Sequence, residues 1–171
     1  REGYIAGAVL AGETETRVDI QTIELEGMTL RIVSPLNAPT LLPTIIYYYG
    51  GCFVSGGFAT HDNQLRQLAY YGQCRVIAVQ YRLAPEHTFP AAHDDAQRGA
   101  EIVWQHAERL GVDKQRITLA GDSAGGHLAL VTALRLKRAG EWQPAQLILI
   151  YPMLDATAHF ESYIRNGHDY I

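Results

Sequence analysis

The stretch RITLAGDSAGG, from Arg116 to Gly126, decides the fold predicted for this chain. Its first five residues are mostly apolar or β-branched, as in a short strand that is buried on both faces of a sheet. The next five residues, Gly121 to Gly125, fit the pattern G-x-S-x-G. An apolar helix pattern follows immediately, from Ser123 to Ala139. The stretch therefore predicts a strand, a sharp turn and a helix in direct succession, with Ser123 at the turn.

Three other apolar runs have the character of a buried strand. They are Thr44 to Tyr49, Cys74 to Gln80 and Gln146 to Tyr151. Helix patterns lie between the strands, at His61 to Tyr71 and Ala91 to Leu110. This alternation predicts a mostly parallel sheet with helices on both faces. Ligands of such sheets bind at the carboxyl ends of the strands, so the loops at those ends are expected to hold the chemistry.

The segment before these elements has a different pattern. Residues Val18 to Glu26 and Met28 to Ser34 alternate between apolar and polar side chains, with Gly27 between them. A glycine turn between two alternating runs predicts a β-hairpin. Residues 1–15 are expected to form a short helical or irregular lead-in.

Composition limits the classes of function. With 171 residues, 47% of them hydrophobic and 19% charged, we expect residues 1–171 to form one domain with a real core, which the family resemblance described below implies to be partial. The net charge of −4 gives no reason to expect a nucleic acid or an anionic membrane as partner. No apolar run approaches the roughly 20 residues of a bilayer span. The 7 histidines are scattered, so neither a metal nor another cofactor is implied.

The chain has 2 cysteines, Cys52 and Cys74, both in or beside apolar runs. Secreted domains that are stabilised by disulfides normally carry more. We therefore predict two reduced, buried thiols and a reducing compartment, the cytoplasm.

A serine at such a turn has two interpretations. A sharp strand-to-helix turn presents the hydroxyl of Ser123 at the sheet edge, beside a helix N-terminus that favours a developing anion. Gly121 and Gly125 would then remove Cβ atoms that clash in the turn. Alternatively, Ser123 is a simple helix N-cap, and the glycines only allow close packing.

A second glycine-rich segment, Tyr49-Gly50-Gly51-Cys52-Phe53, follows the first buried strand. Backbone N–H groups at such a turn can bind the oxyanion of an acyl-transfer intermediate. The alternative is a turn with no chemical role, because glycine is a common turn residue.

Together these segments resemble the hormone-sensitive-lipase-like family of α/β-hydrolases, particularly its bacterial acetyl-esterase branch. That family carries H-G-G-G-[FW], then Y-R-L-A-P-E, then G-D-S-A-G-G. Here the chain reads YGGCF at Tyr49–Phe53, YRLAPE at Tyr81–Glu86 and GDSAGG at Gly121–Gly126. The resemblance covers most of the chain from Val18 to Tyr151 and implies an α/β-hydrolase fold, incomplete here because its C-terminal strands and cap are missing.

The resemblance also implies roles for individual residues. Ser123 would be the nucleophile of a carboxylesterase acting on a small-molecule ester, and N–H groups of Gly51, Cys52 and Ala124 would form the oxyanion hole. Supporting positions would be Tyr49, Gly50, Gly121, Asp122 and Gly125. Two departures stand out: Tyr49 replaces the family's histidine, and Cys52 replaces its third glycine. A positive φ at Cys52 would cost roughly 1 kcal/mol or more. We interpret Arg82 and Glu86 as a pair that holds their loop together and has no chemical role.

The acid and histidine of a triad are harder to find. In this fold they follow the nucleophile in the order acid, then histidine. His127 lies one helical turn after Ser123 and is expected to be a packing residue. Asp155 with His168 has the right order, but no later strands precede it. We therefore expect both groups to lie outside this chain, and we interpret the chain as a fragment.

A fragment would expose its last strand, so we expect a dimer through that edge. Two alternatives to the esterase prediction stay open. One is a non-catalytic protein that binds small ligands on the same scaffold, and the other is an amidase or thioesterase on the same fold. The sequence does not specify the physiological substrate.

Overall fold

A mixed sheet is the framework on which the other elements are placed. The computed structural model describes residues 10–155, 157 and 159–167, together with residues 3 and 6. The predicted lead-in of residues 1–15 therefore lies partly outside the described residues. In chain order the elements are β1 (Val18–Leu25), β2 (Met28–Pro35), β3 (Leu42–Tyr48), α1 (Phe58–Gly72), β4 (Arg75–Val79), α2 (Ala91–Gln105), α3 (Ala107–Leu110), β5 (Val112–Asp122), α4 (Ala124–Arg138), β6 (Gln146–Ile150) and α5 (Glu161–Arg165).

The order of strands in the sheet is β1-β2-β4-β3-β5-β6. The predicted hairpin is present: β1 and β2 pair antiparallel around Glu26 and Gly27, whose φ angles of 49° and 78° make the tight turn. Strand β2 also pairs antiparallel with β4. Strands β4, β3, β5 and β6 are all parallel. The sheet is thus mostly parallel, as the strand–helix alternation predicted, and the chain has the α/β-hydrolase fold that the family resemblance implied.

Helices cover both faces of this sheet. Successive side chains of a strand point to opposite faces, and two neighbouring tyrosines of β3 show this directly. The hydroxyl of Tyr47 meets Gln64 of α1, whereas the hydroxyl of Tyr48 donates to the carbonyl of Ala96 in α2 at 2.8 Å. Both tyrosines are fully buried. The core therefore lies on both sides of the central strands.

The parallel pairing of β3 with β5 positions the candidate site. Near their carboxyl ends Tyr48 is the register partner of Gly121. The loop that follows β3 and the turn that follows β5 therefore start side by side at one edge of the sheet. The two glycine-rich segments are far apart in sequence, and this register makes them neighbours.

The predicted helix from Ala91 to Leu110 is wrong in one respect, because it is broken in two at His106. This residue has ψ of 20°, outside the range of an α-helix, and α2 ends there. Its ring nitrogen Nε2 lies 2.8 Å from a carboxylate oxygen of Glu26 in the β1–β2 turn. The separate short helix α3 then ends at Gly111 with φ of 64°, and β5 begins.

The last strand is also less buried than its sequence predicts. All residues of β6 are exposed or partly exposed, including Leu147 and Ile148 at 39% and 40%. The physical reason is position, because β6 is the edge strand and pairs only with β5 among the described residues. An apolar run alone does not tell whether a neighbouring strand covers it.

Among the residues that the structure describes, no helix combines the length and the apolar character needed to cross a bilayer.

Candidate active site

Ser123 has an unusual backbone conformation at the point where β5 passes into α4. Its φ of 52° and ψ of −117° lie outside the regions that non-glycine residues normally adopt. Its N–H donates to the carbonyl of Ile150 at 2.9 Å, and its own carbonyl accepts from His127 and Met153 at 3.1 and 3.2 Å. Three bonds to surrounding backbone thus maintain a conformation that would be costly alone.

The glycines on either side of Ser123 are required by close backbone approach. A Cβ atom on Gly121 would overlap the backbone of Gly125, and a Cβ on Gly125 would overlap the carbonyl of Tyr48. The G-x-S-x-G pattern is therefore explained by the packing of the turn against the end of β3. A simple N-cap does not account for this, because the Ser123 side chain makes no capping hydrogen bond.

The loop after β3 turns tightly around one carbonyl. The oxygen of Gly51 accepts from the N–H groups of Val54 and Ser55 at 3.0 and 2.9 Å, and from the Ser55 hydroxyl at 3.0 Å. Three successive residues, Gly51, Cys52 and Phe53, have positive φ angles of 128°, 55° and 61°. For Cys52 and Phe53 this is the left-handed region, where a side chain costs about 1 kcal/mol or more.

This turn leaves N–H groups available. Within the described part of the chain, the N–H groups of Gly51 and Cys52 donate no hydrogen bond. Ala124 is the first residue of α4, so its N–H has no partner within the helix. The three predicted donors therefore lie on two segments that start at neighbouring strand ends.

Asp122 connects the two segments. Its side chain is buried, and Oδ1 accepts from the Gly50 N–H at 3.0 Å and from the Tyr47 hydroxyl at 2.7 Å. Nε2 of His61 lies 3.3 Å from Oδ1 and 3.4 Å from Oδ2. Burial raises the pKa of Asp122, but the bonds and charge of His61 and the bonds from Tyr47 and Gly50 outweigh it and hold the pKa below its usual value.

Tyr49 is held in place by a reciprocal contact with Tyr81. The two rings stack with centroids 4.5 Å apart, and the Tyr81 hydroxyl donates to the Tyr49 carbonyl at 2.6 Å. Burial raises the pKa of Tyr49 to about 12. An aromatic stack thus anchors the start of the loop at the position where the resembled family has histidine.

The YRLAPE segment has a supporting role in this arrangement. Arg82 binds Asp95 of α2 through Nε and a terminal nitrogen, both at 2.8 Å, and the Ala84 N–H donates to the Phe53 carbonyl at 2.9 Å. The structure thus fixes this loop through Asp95, a residue that the sequence did not single out.

Cys52 is exposed, so the prediction that both thiols are buried is wrong for this residue and right for Cys74. The reason is the left-handed turn, which directs the side chain away from the core. Cys52 borders a largely apolar cavity of about 330 Å³, also lined by Phe53, Phe89 and His93. Both cysteines are free.

His127 packs near the serine without pairing with it. Its Nδ1 lies 2.8 Å from the Met153 carbonyl, and its Nε2 lies 3.1 Å from Nε2 of His93. Its ring also meets Phe53 edge-on at 5.7 Å. Burial, together with the charge of His127, lowers the pKa of His93. The two rings are engaged with each other and with a carbonyl.

The other candidate pair, Asp155 with His168, lies partly outside the described residues. Asp155 accepts from the N–H and hydroxyl of Thr157, at 2.8 and 2.6 Å. His168 lies outside the described residues. The described part of the chain contains no group of three or more side chains that could hold a metal ion.

Sequence reasoning missed Tyr47 and His61. Tyr47 could have been found, because it lies two residues before Tyr49, which directly follows β3, and residues two apart in an extended segment share a face. His61 carries no comparable signal, since its approach to Asp122 depends on how α1 packs against the sheet.

Known proteins place this site in a family. A family described as alpha/beta hydrolase fold matches residues 45–171. Carboxylesterase NlhH of Mycobacterium tuberculosis is 37% identical over 156 residues, which cover 90% of this chain and 49% of that protein. An ethyl acetate hydrolase of Pseudomonas putida is 36% identical over 97% of this chain and 55% of its own length. The chain spans about half the length of the curated relatives it matches.

Solved structures agree with this assignment. An ester hydrolase from the metagenome of Lake Arreo, complexed with a bipyridine phosphonate derivative, superimposes with a TM-score of 0.87 at 36% identity, over 98% of this chain and 55% of that one. A family match over most of the chain, curated esterase relatives and a shared fold all agree. The chain belongs to the hormone-sensitive-lipase-like family of α/β-hydrolases, alongside bacterial carboxylesterases and acetyl esterases.

Proposed function

We propose that this chain is the nucleophile-bearing part of a serine carboxylesterase that hydrolyses short-chain acyl esters. The Ser123 hydroxyl attacks the acyl carbonyl, and the N–H groups of Gly51, Cys52 and Ala124 bind the oxyanion that forms. Loss of the alcohol leaves an acyl-enzyme. Water then attacks this ester, releases the carboxylic acid and restores Ser123.

One observation carries this proposal: the positive φ of Ser123 at a strand-to-helix turn, maintained by three backbone bonds. Such strain persists only where the surrounding structure enforces it, and it is concentrated at functional sites. The adjacent loop supports the proposal with N–H groups of Gly51 and Cys52 that its described backbone bonds leave unused. The names of relatives, ethyl acetate hydrolase and acetyl esterase, support a short acyl group.

The base that activates Ser123 is proposed to come from outside this chain, together with its acid. The described histidines near the site have other partners: His61 faces Asp122, and His93 and His127 face each other. We therefore propose that the 171-residue chain alone has little esterase activity. We also propose that it associates through the β6 edge and that its free thiols belong to a reducing, cytoplasmic compartment.

The test compares the 171-residue chain with any longer product of its reading frame. We expect the longer protein to hydrolyse p-nitrophenyl acetate and to be labelled by a fluorophosphonate. Ser123→Ala should abolish both, whereas Ser162→Ala, at an exposed serine of α5, should leave both unchanged. Comparing esters, amides and thioesters of one acyl group would identify the reaction class.

Two outcomes would contradict the proposal. Full activity of the 171-residue chain that depends on Ser123 would show that the base lies within it. A longer protein that takes no label would favour a non-catalytic ligand-binding protein, the alternative supported by the strained, side-chain-bearing Cys52 at a proposed donor position.

A further inference from the structure

The segment that leaves β6 is bound to the turn at Ser123 through two contacts of Met153. The Met153 N–H donates to the Ser123 carbonyl at 3.2 Å. The Met153 carbonyl lies 2.8 Å from Nδ1 of His127 in α4, and the backbone N–H of His127 donates to the same Ser123 carbonyl at 3.1 Å. Ser123, His127 and Met153 therefore form one closed group of hydrogen bonds around the turn.

The backbone carbonyl in this group determines which nitrogen of His127 carries a proton. A carbonyl only accepts, so Nδ1 of His127 must donate to Met153 and must be protonated. In a neutral imidazole the other nitrogen is then an acceptor. Nε2 of His127 lies 3.1 Å from Nε2 of His93, so in a neutral pair His93 supplies the proton between them. Nδ1 of His93 is then left without a proton, and a pair without net charge has only this arrangement.

We propose that His127 is a positioning residue that is held as the neutral Nδ1–H tautomer and uses this proton to fix Met153 against the Ser123 turn. His93 maintains that tautomer by donating to the other ring nitrogen. With the opposite tautomer of His127, two lone pairs would face each other at the Met153 carbonyl, and this contact would be lost. The importance of the turn for catalysis rests on the proposed function, but the tautomers of the two rings do not.

A buried nitrogen of His93 supports the neutral pair. Nδ1 of His93 is buried and has no hydrogen-bond partner within the described part of the chain. Only one proton fits between the two Nε2 atoms, and Nδ1 of His127 is already protonated, so any further proton on the pair ends on this nitrogen of His93. That proton would create a buried N–H without an acceptor and a charge without a counter-ion, both of which are costly. The pair should therefore stay neutral at neutral pH.

The groups around the two rings act in the same direction. Phe53 stacks on His93 at 5.6 Å between centroids and meets His127 edge-on at 5.7 Å, so an apolar ring covers both imidazoles. Burial lowers the pKa of His93, and the positive charges of His127 and Arg135 lower it further. Asp94 acts in the opposite direction, but its carboxylate already pairs with Arg135 at 2.9 Å.

Long-range proton–nitrogen NMR of the 171-residue chain, labelled with ¹⁵N-histidine, tests the tautomers directly. At about pH 8, where an ordinary histidine is neutral, we expect His127 to carry its proton on Nδ1 and His93 to carry its proton on Nε2. The exposed His159 serves as the reference for a ring in solvent. A proton on Nε2 of His127, the same tautomer in both rings, or three protonated nitrogens in the pair would overturn the proposal.

Two substitutions of His127 test the contact with Met153. The amide nitrogen of asparagine can occupy the position of Nδ1, because both atoms are bonded to Cγ, whereas the amide nitrogen of glutamine reaches the position of Nε2. His127→Gln should therefore accelerate hydrogen exchange at the Met153 amide by about fivefold or more, as expected for the loss of one hydrogen bond. His127→Asn is the conservative variant and should keep the slow exchange of the unsubstituted protein.

Exchange at Met153 that is unchanged in His127→Gln, or equally fast in both variants, would refute the positioning role. If His127→Gln does not fold, the spectra of the unsubstituted protein and the exchange rates of His127→Asn still decide. Failure of Ser123 to react with a fluorophosphonate would count against the proposed function only, because these measurements involve no catalysis.

Discussion

Replacing Asp122 by asparagine removes a charge from the connection between the two glycine-rich segments while keeping its shape. Oδ1 can still accept from Tyr47 and Gly50, but the new amide nitrogen replaces Oδ2 and faces Nε2 of His61. The contact with His61 then becomes neutral. Hydrogen bonds to charged groups contribute about 1.5–3 kcal/mol and neutral ones about 0.5–1.5 kcal/mol, so Asp122→Asn should lower the free energy of unfolding by about 1–2 kcal/mol.

The decrease in the free energy of unfolding caused by Asp122→Asn should depend on pH in one direction. The pKa of Asp122 lies below its usual value in the folded chain, so its contribution is complete above the unfolded pKa and disappears as pH falls through the folded one. The difference in the free energy of unfolding between the parent and the Asp122→Asn protein should therefore be largest at neutral pH and should decrease below about pH 4. Urea unfolding followed by the fluorescence of the partly buried pair Trp104 and Trp142 measures it.

Two further variants accompany this test: Asp122→Ala as the more severe substitution and Asp113→Asn as the control. Alanine would remove the acceptor that three buried donors share, at about 1–3 kcal/mol each, so the fold should be lost or severely weakened. Asp113 forms a surface pair with Arg116, and its substitution should have no measurable effect. If Asp122→Asn unfolds at the same urea concentration as the parent protein at neutral pH, or if the difference does not change with pH, the reasoning is refuted.

Three further predictions concern the turn, the thiols and the sheet edge. Gly125→Ala should lower the free energy of unfolding measured in urea by about 2 kcal/mol or more, because its Cβ would overlap the Tyr48 carbonyl. Gly72→Ala, whose Cβ would lie near only the Cys74 side chain, should have a smaller effect. Equal effects of the two substitutions would argue against a turn that is enforced by packing. An aromatic disulfide reagent should modify the exposed Cys52 rapidly and Cys74 only after unfolding, because Cys74 is buried and burial raises its pKa to about 11. Cys52→Ser should abolish the fast phase of thiol modification. Two equally fast phases in the parent chain would contradict this prediction. Leu147→Lys in β6 should reduce self-association measured by analytical ultracentrifugation, whereas Leu134→Lys on α4 should not. A parent chain that stays monomeric at high concentration would rule out the contact through the β6 edge.

The sequence predicted those parts of the fold that local pattern controls. The hairpin follows from alternation around Gly27, and the central strands follow from apolar runs such as Thr44 to Tyr49. Local pattern failed where distant residues intervene. The helix breaks at His106, which meets Glu26, and β6 is exposed because, among the described residues, it pairs with β5 alone.

The same division applies to the candidate site. Gly121, Ser123 and Gly125 were recognised from the sequence by itself, because a sharp strand-to-helix turn leaves few residue types that fit and the spacing of these residues is local. Only the tertiary structure decided what surrounds them. The register of β3 against β5 brings the two segments together, and the packing of α1 on the sheet brings His61 to Asp122. These contacts join residues about 60 to 70 positions apart in the chain, so no local pattern of side chains encodes them.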